Sequence, residues 1–481
     1  MKAKSLNSIS TTTTVTRRWF AAFVLPMLLA STLMLRAADN DYVAHEWGTF
    51  TSVQGGDGTL LNWDGIATSD LPPFVYDWSR PGLERYSTAM FSKVHIPCLQ
   101  RMETPVIYFY PRKPMTLDVA VQFPRGRITE WFPQAIEAGP SRRLANLSLT
   151  TPDALASLAW LNLDPNPATL FGESAVTNSI IRWKNFEVLP AKQNPELANQ
   201  LPTDAKASHY FAARTKDAAF VRVNSFERTH PAPEIEKFLF YRGVGNFQSP
   251  LKVTMNEQGQ VSLTNTGVGP LKHLFALAIQ GDRVMVVPLG NLESGQTRVT
   301  QLNAATDGKP ATATVKSLAR QMADALETEG LYRAEAEAMV ETWRDAWFED
   351  QGVRILYVLP RAWTDSILPI TLTPHPRELV RVMVGRAEVI TPAMEQLLCK
   401  CVAGFRQSDP VVKQAAVSEF RAMKLGRFAP VALELARSHI KDAKFFEDGL
   451  ALIQAARAAD MANPASASAT QPTRRLPASG G

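Results

Sequence analysis

The sequence is poor in cysteine, with three among 481 residues, at positions 98, 399 and 401. Three unevenly spaced cysteines cannot build the disulfide framework that stabilises small secreted domains. Cys399 and Cys401 fall in a predicted helix, where a separation of two residues turns side chains to roughly opposite sides. We therefore expect at least one of them to be a small buried apolar residue. The alternative is a single bridge from Cys98 to one of them, which an oxidising compartment would permit.

The chain also lacks the short motifs that identify common enzymes. It has no nucleophile elbow, phosphate-binding loop, dinucleotide fingerprint or zinc-binding spacing. Five histidines have no spacing partners that define a metal set: His95, His209, His230, His273 and His439. The activity must therefore be argued from individual side chains.

No excess of positive charge remains once the N-terminal segment is set aside. The full chain has 51 Lys and Arg against 46 Asp and Glu. Residues 1–37 contain five of the basic residues and no acidic one, which leaves 46 of each (51 − 5 = 46). The composition therefore gives no reason to expect a nucleic-acid or anionic-membrane partner.

Residues 1–37 have the layout of an export signal. Basic residues that include the pair Arg17 and Arg18 precede an apolar run over residues 19–35, and small residues follow it. The arginine pair, with Arg36 on the exit side, favours the twin-arginine type. An ordinary Sec leader is one alternative, and a retained anchor is another, although Pro26 interrupts the short run. We expect a periplasmic or secreted protein that meets the export machinery and keeps no stable membrane anchor after cleavage; the oligomeric state is not predicted.

Residues 38–305 are predicted to form an antiparallel β-sandwich-like region of one or two modules. The clearest strand alternates over residues 116–123, and a turn at Gly126 leads into a partner strand over residues 128–132. Many short strands separated by turns favour antiparallel structure over a parallel sheet. Residues 135–175 interrupt this pattern and are predicted to be an insertion or a joint, with one short helix near residues 152–160.

Residues 306–461 are predicted to be mainly helical, with one or two strands. Apolar residues recur at helical spacing over residues 315–329, which end at Gly330, and again over residues 332–348. These two helices are expected to pack as a hairpin. Residues 462–481 are rich in Ala, Ser and Pro and are predicted to be disordered. The predicted fold class is therefore α+β.

The first candidate site is the run His45, Glu46 and Trp47 near the start of the mature chain. Glu46 is a candidate catalytic carboxylate and Trp47 a candidate substrate-binding residue. The sequence identifies no cofactor, although His45 with Glu46 is a candidate pair of ligands for a divalent metal. On a regular strand His45 and Trp47 face one way and Glu46 the other, so a shared site would need a bulge. The alternative is a polar strand that hydrogen-bonds to its neighbours.

Two more carboxylates accompany predicted strands in the N-terminal half. Glu103 precedes a buried strand, where rigid backbone could hold it as a catalytic group. The alternative is a plain ion pair with Arg101. Glu130 shares strand parity with Ile128, so an inward orientation predicts a desolvated carboxyl group with a raised pKa. The opposite orientation leaves Glu130 in solvent.

The third candidate site lies on proline-rich connections in the C-terminal region. Asp365 and Glu388 are a candidate pair of catalytic carboxylates. Arg361, Trp363 and Arg386 are candidate substrate-binding residues. The alternative is a network of ion pairs between arginines and carboxylates that joins the helical part to the β part.

These residues lead to three hypotheses about function. The first is a hydrolase that uses two of the carboxylates as acid and base on an extracytoplasmic substrate such as a glycan. Nine tryptophans remain after removal of Trp19 (10 − 1 = 9), and tryptophans can stack on sugar rings. The second hypothesis is a cofactor-binding or metal-binding protein that is exported folded. The third is a non-catalytic binding or scaffold protein of the cell envelope.

Overall fold

The structure is a computed structural model, and it describes residues 41–66, 71–77, 97–139, 178–204, 209–224 and 232–462. The predicted export signal lies outside the described residues. So do the helix predicted near residues 152–160, nearly all of the tail predicted to be disordered, and two histidines, His95 and His230. The insertion predicted over residues 135–175 is described only to residue 139.

The described elements are mainly strands in the first part of the chain and mainly helices in the last part. The strands are β1 (Tyr42–Gly55), β2 (Trp63–Asp64), β3 (Tyr76–Asp77), β4 (Pro97–Cys98), β5 (Gln100–Pro111), β6 (Met115–Phe123), β7 (Gly126–Phe132), β8 (Glu137–Gly139), β9 (Ser179–Leu189), β10 (Phe220–Val223), β11 (Glu234–Glu236), β12 (Leu239–Gly245), β13 (Leu251–Met255), β14 (Gln260–Asn265), β15 (Leu271–Gln280), β16 (Arg283–Leu292), β17 (Thr297–Gln301), β18 (Lys309–Pro310), β19 (Gly352–Val358), β20 (Ile370–Thr373) and β21 (Glu378–Ile390). The α-helices are α1 (His209–Ala212), α2 (Ala304–Asp307), α3 (Ala311–Thr328), α4 (Arg333–Phe348), α5 (Arg361–Ile367), α6 (Pro392–Phe405), α7 (Pro410–Ala422), α8 (Ala429–His439) and α9 (Phe445–Ala462).

The largest element is a mixed ten-stranded sheet with the order β18-β16-β15-β19-β21-β1-β5-β12-β7-β3. Strand β1 lies near its middle, parallel to β21 and antiparallel to β5. All 14 residues of β1 are buried, because other elements cover both faces of the sheet there. The parallel pair joins the start of the described chain to its C-terminal third.

The predicted division at residue 305 corresponds only loosely to this architecture. The described residues form a mixed structure of sheets and helices, richer in strand before residue 305 and richer in helix after it. The C-terminal part contributes four strands, β18 to β21, where one or two were predicted. Strands β19 and β21 are the two long ones, and the additional β18 and β20 are short strands that pair with the edge strands β16 and β6. The sandwich itself stays a prediction.

A second sheet has six strands and the order β11-β10-β9-β6-β20, with β8 paired to β9. Burial alternates along β6 as the sequence predicted. This sheet contacts the large one through aromatic side chains: the ring centroids of Phe109 and Phe186 are 5.7 Å apart, and those of Trp183 and Tyr241 are 6.4 Å apart. One apolar core therefore includes residues of both sheets.

Helices α3 and α4 form the predicted hairpin and pack into this core. Leu318, Met322 and Leu326 of α3 are buried there, together with Trp347 of α4. Gly330 lies between the helices with a φ of +106°, which a residue with a Cβ rarely adopts. The hairpin holds the start of α4 close to β1, where the candidate site lies.

Helices α6 to α9 surround a second apolar core. Strand β1 contributes Val53 to it, and β21 contributes Ile390. Cys401 is buried in this core, as predicted for one of the pair, and the three cysteines are free. None of the helices in the described ranges is long and apolar enough to cross a bilayer.

Candidate functional site

His45 and Glu46 point to opposite faces of the large sheet, as the alternation of a strand requires. His45 Nδ1 lies 2.6 Å from Glu335 Oε2. Glu46 instead accepts hydrogen bonds from the Tyr241 hydroxyl and from Arg381 Nε, both at 2.5 Å. These two side chains therefore cannot bind one metal ion together. In the described ranges, no group of three or more His, Cys, Asp and Glu side chains is arranged to hold a metal ion.

The carboxylate of Glu335 fixes the orientation of the His45 ring. Besides the contact with Nδ1, Glu335 accepts a hydrogen bond from the Tyr332 backbone N–H at 2.8 Å. Its other oxygen accepts from the Tyr110 hydroxyl at 2.6 Å. An ionised carboxylate only accepts hydrogen bonds, so Nδ1 carries the proton in this pair. The second ring nitrogen, Nε2, is left to act on another group.

Three elements bring these side chains together. Tyr108 of β5 is the cross-strand partner of His45, and Tyr110, two residues further along β5, lies on the same face. Glu335 is in the first turn of α4, where a negative charge is favoured by the helix dipole. Burial, then the nearby Glu335 carboxylate, raises the pKa of Tyr110, so its hydroxyl stays a hydrogen-bond donor.

An aromatic layer covers His45. The ring of Tyr332 lies 4.4 Å from the His45 ring between centroids, and that of Tyr110 lies 5.5 Å away. His45 is 1% exposed, whereas Tyr332 is 46% exposed. Tyr332 thus separates the imidazole from solvent on that side.

On the opposite face of the sheet, Glu46 is the start of a chain of ion pairs. Arg381 bridges it to Asp365, with 2.7 Å between Arg381 Nη1 and Asp365 Oδ1. Arg361 Nε donates to both oxygens of Asp365 at 2.9 Å. Asp365 is therefore an acceptor for two arginines and does not approach Glu388, its predicted catalytic partner.

Glu388 is paired through one of its oxygens, Oε1, with two other arginines. Arg386 Nε lies 2.5 Å from its carboxylate, and Arg354 Nε lies 2.8 Å away. Burial alone would raise the pKa of Glu388, but the charges and hydrogen bonds of Arg354 and Arg386 outweigh it and hold the pKa below its ordinary value. At Glu388 the ion pairs between arginines and a carboxylate connect two strands, β19 and β21.

Glu103 is also buried among arginines. Its carboxylate lies 2.6 Å from Arg427 Nη1 and 3.1 Å from Arg101 Nε, and it accepts a hydrogen bond from Thr51 at 3.3 Å. Burial opposes ionisation, but Arg427 and then Arg101 lower the pKa of Glu103 to about 2. A carboxyl group with this pKa is deprotonated at neutral pH and cannot donate a proton there.

The pKa predicted for an inward-facing Glu130 was wrong in direction. Glu130 is buried, but Arg242 lies opposite it on β12 and donates from Nη2 at 2.6 Å. Burial acts to raise the pKa of Glu130, and the charge and hydrogen bond of Arg242 lower it by more. The prediction treated burial alone, without this partner.

The predicted substrate-binding residues are unevenly accessible. Trp47 and the side chain of Arg386 are fully buried. Trp363 is half-buried against Phe50, with 5.4 Å between ring centroids. The Arg361 side chain is 44% exposed. Trp363 and Arg361 are therefore the two of these four that reach the surface.

Glu335, Tyr110 and Tyr332 were not predicted from the sequence to be site residues. Tyr332 was assigned only to the apolar stripe of a helix. A signal was present, because a glutamate three residues after a helix start is typical of a capping box. That signal places Glu335 at a helix end but not beside His45, which is 290 residues away in the sequence.

Comparison with known proteins does not supply a family for this site. The sequence matches no protein-family model, and it matches no curated protein sequence. The geometry of the side chains around His45 is therefore the basis for the function of this site.

Proposed function

We propose that the protein is an exported hydrolase in which His45, oriented by Glu335, is the general base. The observation that carries this proposal is the 2.6 Å contact between His45 Nδ1 and a buried Glu335 carboxylate, which Tyr110 holds from its other side. A histidine held at Nδ1 by a carboxylate is the arrangement that hydrolytic sites use to orient a base.

In this mechanism the Tyr332 ring moves aside, and His45 Nε2 takes a proton from a water molecule or from a hydroxyl group of the substrate. The Glu335 carboxylate stabilises the imidazolium that forms. Tyr110 keeps the carboxylate in position. A mechanism with paired carboxylates is supported less well, because Glu46 is paired with the buried Arg381, and Glu388 with the buried Arg354 and Arg386.

The proposal includes export through residues 1–37, which the arginine pair of the leader supports. Replacing Arg17 and Arg18 together by Lys should trap folded protein in the cytoplasm. Cell fractionation with immunoblotting measures this. Unchanged export of that variant would reduce the leader to an ordinary Sec signal.

We also propose a sandwich-like packing of the two sheets, supported by the contact of Phe109 with Phe186.

A non-catalytic binding protein of the cell envelope is the second candidate. It is favoured by the ion pairing of the candidate carboxylates Glu46, Glu103, Asp365 and Glu388 with arginines. A metal-binding function would need ligands other than His45 and Glu46 together. Affinity for an envelope component without turnover would favour the binding function over hydrolysis.

The test is an assay panel of chromogenic esters, glycosides and phosphates. His45→Gln should lower turnover of any accepted substrate by about 100-fold or more, the usual contribution of a general base. The matched control is His439→Gln, since His439 also pairs through Nδ1 with a glutamate, Glu395, at 2.9 Å but is exposed. His439→Gln should leave turnover unchanged. Full activity in His45→Gln would contradict the proposal.

A further inference from the structure

A cleft of about 330 Å³ opens in the large sheet where β19 ends. It is lined by the start of β15, by the end of β19 with the turn into α5, and by the first residues of β21. Glu329, at the end of α3, lies on its rim. Its volume is at the lower end of the range for ligand sites.

One side of the cleft is a strand edge that pairs with no strand of the described residues. Strand β21 pairs with β1 from Glu378 onward, but it pairs with β19 only from Val384 to Val389. In the backbone hydrogen bond nearest the cleft, Leu359 N–H donates to Met383 O at 2.8 Å. Residues 379–382 of β21 therefore have β1 on one side and the cleft on the other.

Arg381 is the position of this edge that faces the cleft with its backbone. Backbone groups of a strand point to alternate sides, so Arg381 directs its N–H and C=O the same way as Met383. Arg381 lines the cleft although its side chain is fully buried, which agrees with a backbone contribution. Two residues earlier, Leu379 O faces the same side and accepts from Arg361 Nη1 at 2.7 Å.

The charges around the cleft do not favour a small anion. Each cationic side chain of the lining already has a carboxylate partner: Lys272 is 2.7 Å from Glu329, Arg361 is 2.9 Å from Asp365 and Arg381 is 2.5 Å from Glu46. An added anion would therefore meet a balanced set of charges. A neutral ligand with alternating donors and acceptors suits the edge better, and an extended peptide has this pattern.

We propose that the cleft binds an extended peptide segment that takes the place of a continued β19 and pairs with the backbone of Arg381. The edge from Leu379 to Met383 is about 13 Å long at about 3.3 Å per residue, enough for about four peptide residues. Val358, Val380 and Val382 supply apolar lining for its side chains. The proposal does not depend on a catalytic role of His45, because the cleft lies on the side of β21 away from β1.

In the absence of a peptide, the side chain of Arg361 blocks strand pairing at this edge. Its guanidinium covers Leu379 O, and Pro360, which has no N–H to donate, precedes it. Natural sheets protect open edges from unwanted pairing with charged side chains and prolines in this way. Removing the guanidinium should therefore make an additional acceptor available to a bound peptide.

The test uses the full chain and a blocked hexapeptide of alternating valine and threonine, with hydrogen exchange read by mass spectrometry. The peptide should slow exchange in the segment that contains Arg381 by about tenfold, the effect of one to two hydrogen bonds. The control is the same peptide with every amide N-methylated, which should bind at least about tenfold more weakly. Absence of binding, protection only elsewhere, or equal binding of the methylated peptide would overturn the proposal.

Two variants make the test specific to the edge. Arg361→Ala should tighten peptide binding several-fold, whereas Arg377→Ala, which removes the same charge from an exposed arginine paired with Asp41, should leave it unchanged. Weaker or equal binding by Arg361→Ala would contradict pairing at Leu379. His45→Gln should bind the peptide normally, so a failed hydrolase assay and a failed peptide assay are distinguishable.

Discussion

The two ends of β1 bury polar side chains on the same face of the sheet in different ways. At one end, the carboxylate of Glu335 is held by an imidazole, a phenol and a backbone N–H, around His45. At the other end, near Thr51, the carboxylates of Glu103 and Glu388 are held by arginines. At the His45 end the partners of the carboxylate include an imidazole and a phenol, which can exchange protons. At the other end the partners are arginines, whose charge is permanent.

This difference separates groups that can do acid–base chemistry from groups that stabilise the fold. Arginine stays charged at any relevant pH, so it locks the charge of its carboxylate partner. Histidine gains and loses a proton near neutrality in its ordinary range. Carboxylates were the obvious catalytic candidates in the sequence, but burial beside arginines makes Glu103 and Glu388 poor proton donors.

The largest expected effect is on stability at the arginine-rich end. Glu388→Gln leaves Arg354 and Arg386 buried without their shared counter-charge. Breaking a buried ion pair by removing one partner costs about 3–5 kcal/mol of unfolding free energy. Urea denaturation followed by circular dichroism measures this loss.

The matched control for Glu388→Gln is Glu419→Gln. Glu419 also pairs with a cation, Lys400, but both side chains are exposed. An exposed ion pair contributes about 0–1 kcal/mol, so the control should be nearly as stable as the unmodified protein. Equal losses in the two variants would show that the arginine-rich end does not differ from the surface.

The next effect is the pH dependence of stability at Glu103. Its pKa falls from an ordinary value of 4.5 to about 2 on folding. A depressed folded-state pKa gives stability that is complete above the unfolded pKa and is lost as the pH falls through the folded one. We therefore expect the unfolding free energy to drop by about 3 kcal/mol from this group between about pH 4.5 and 2.

The measurement compares urea unfolding of the unmodified protein and Glu103→Gln across this pH range. The variant is expected to be less stable already at neutral pH, because Arg427 loses its partner. The quantity to compare is therefore the slope of the unfolding free energy against pH. The slope should be shallower in Glu103→Gln. Equal slopes in the two proteins would show that folding does not lower the pKa of Glu103.

Several of these features were predictable from the sequence, because they depend on local periodicity. Strand alternation placed His45 and Glu46 on opposite faces and gave the buried side of β6. Helical spacing and Gly330 gave the hairpin of α3 and α4. Periodicity states that a segment is a strand or helix and which residues share a face, and these predictions were confirmed.

The partners of these segments were not predictable, since they depend on contacts between distant residues. No local sequence pattern indicates that β1 lies beside β21. This pairing brings Arg381 to Glu46, which is 335 residues away in the sequence. The same holds for Glu335 at His45 and for Arg242 at Glu130. The error in the pKa of Glu130 shows the consequence, because burial was foreseen but the counter-charge was not.

The smallest expected effect on stability is at the His45 end, in Glu335→Gln. The carbonyl oxygen of a glutamine can replace Oε2 and accept from the Tyr332 N–H, while its NH2 group can donate to the Tyr110 hydroxyl oxygen. The unfolding free energy should therefore fall by about 1 kcal/mol. Turnover of an accepted substrate should nevertheless fall markedly, because a neutral amide does not stabilise the imidazolium of His45. Urea denaturation and a turnover assay on the same preparation measure the two effects.

The control is Glu337→Gln, on the same helix but with its carboxylate 60% exposed. It should change neither stability nor turnover appreciably. A loss of stability in Glu335→Gln as large as in Glu388→Gln would remove the contrast between the ends of β1, because Glu335 would then act as a fixed charge. A charge that only stabilises the fold affects the unfolding free energy, whereas a charge that orients His45 affects turnover. A small loss of unfolding free energy together with a large loss of turnover in Glu335→Gln would therefore support the orienting role proposed for Glu335.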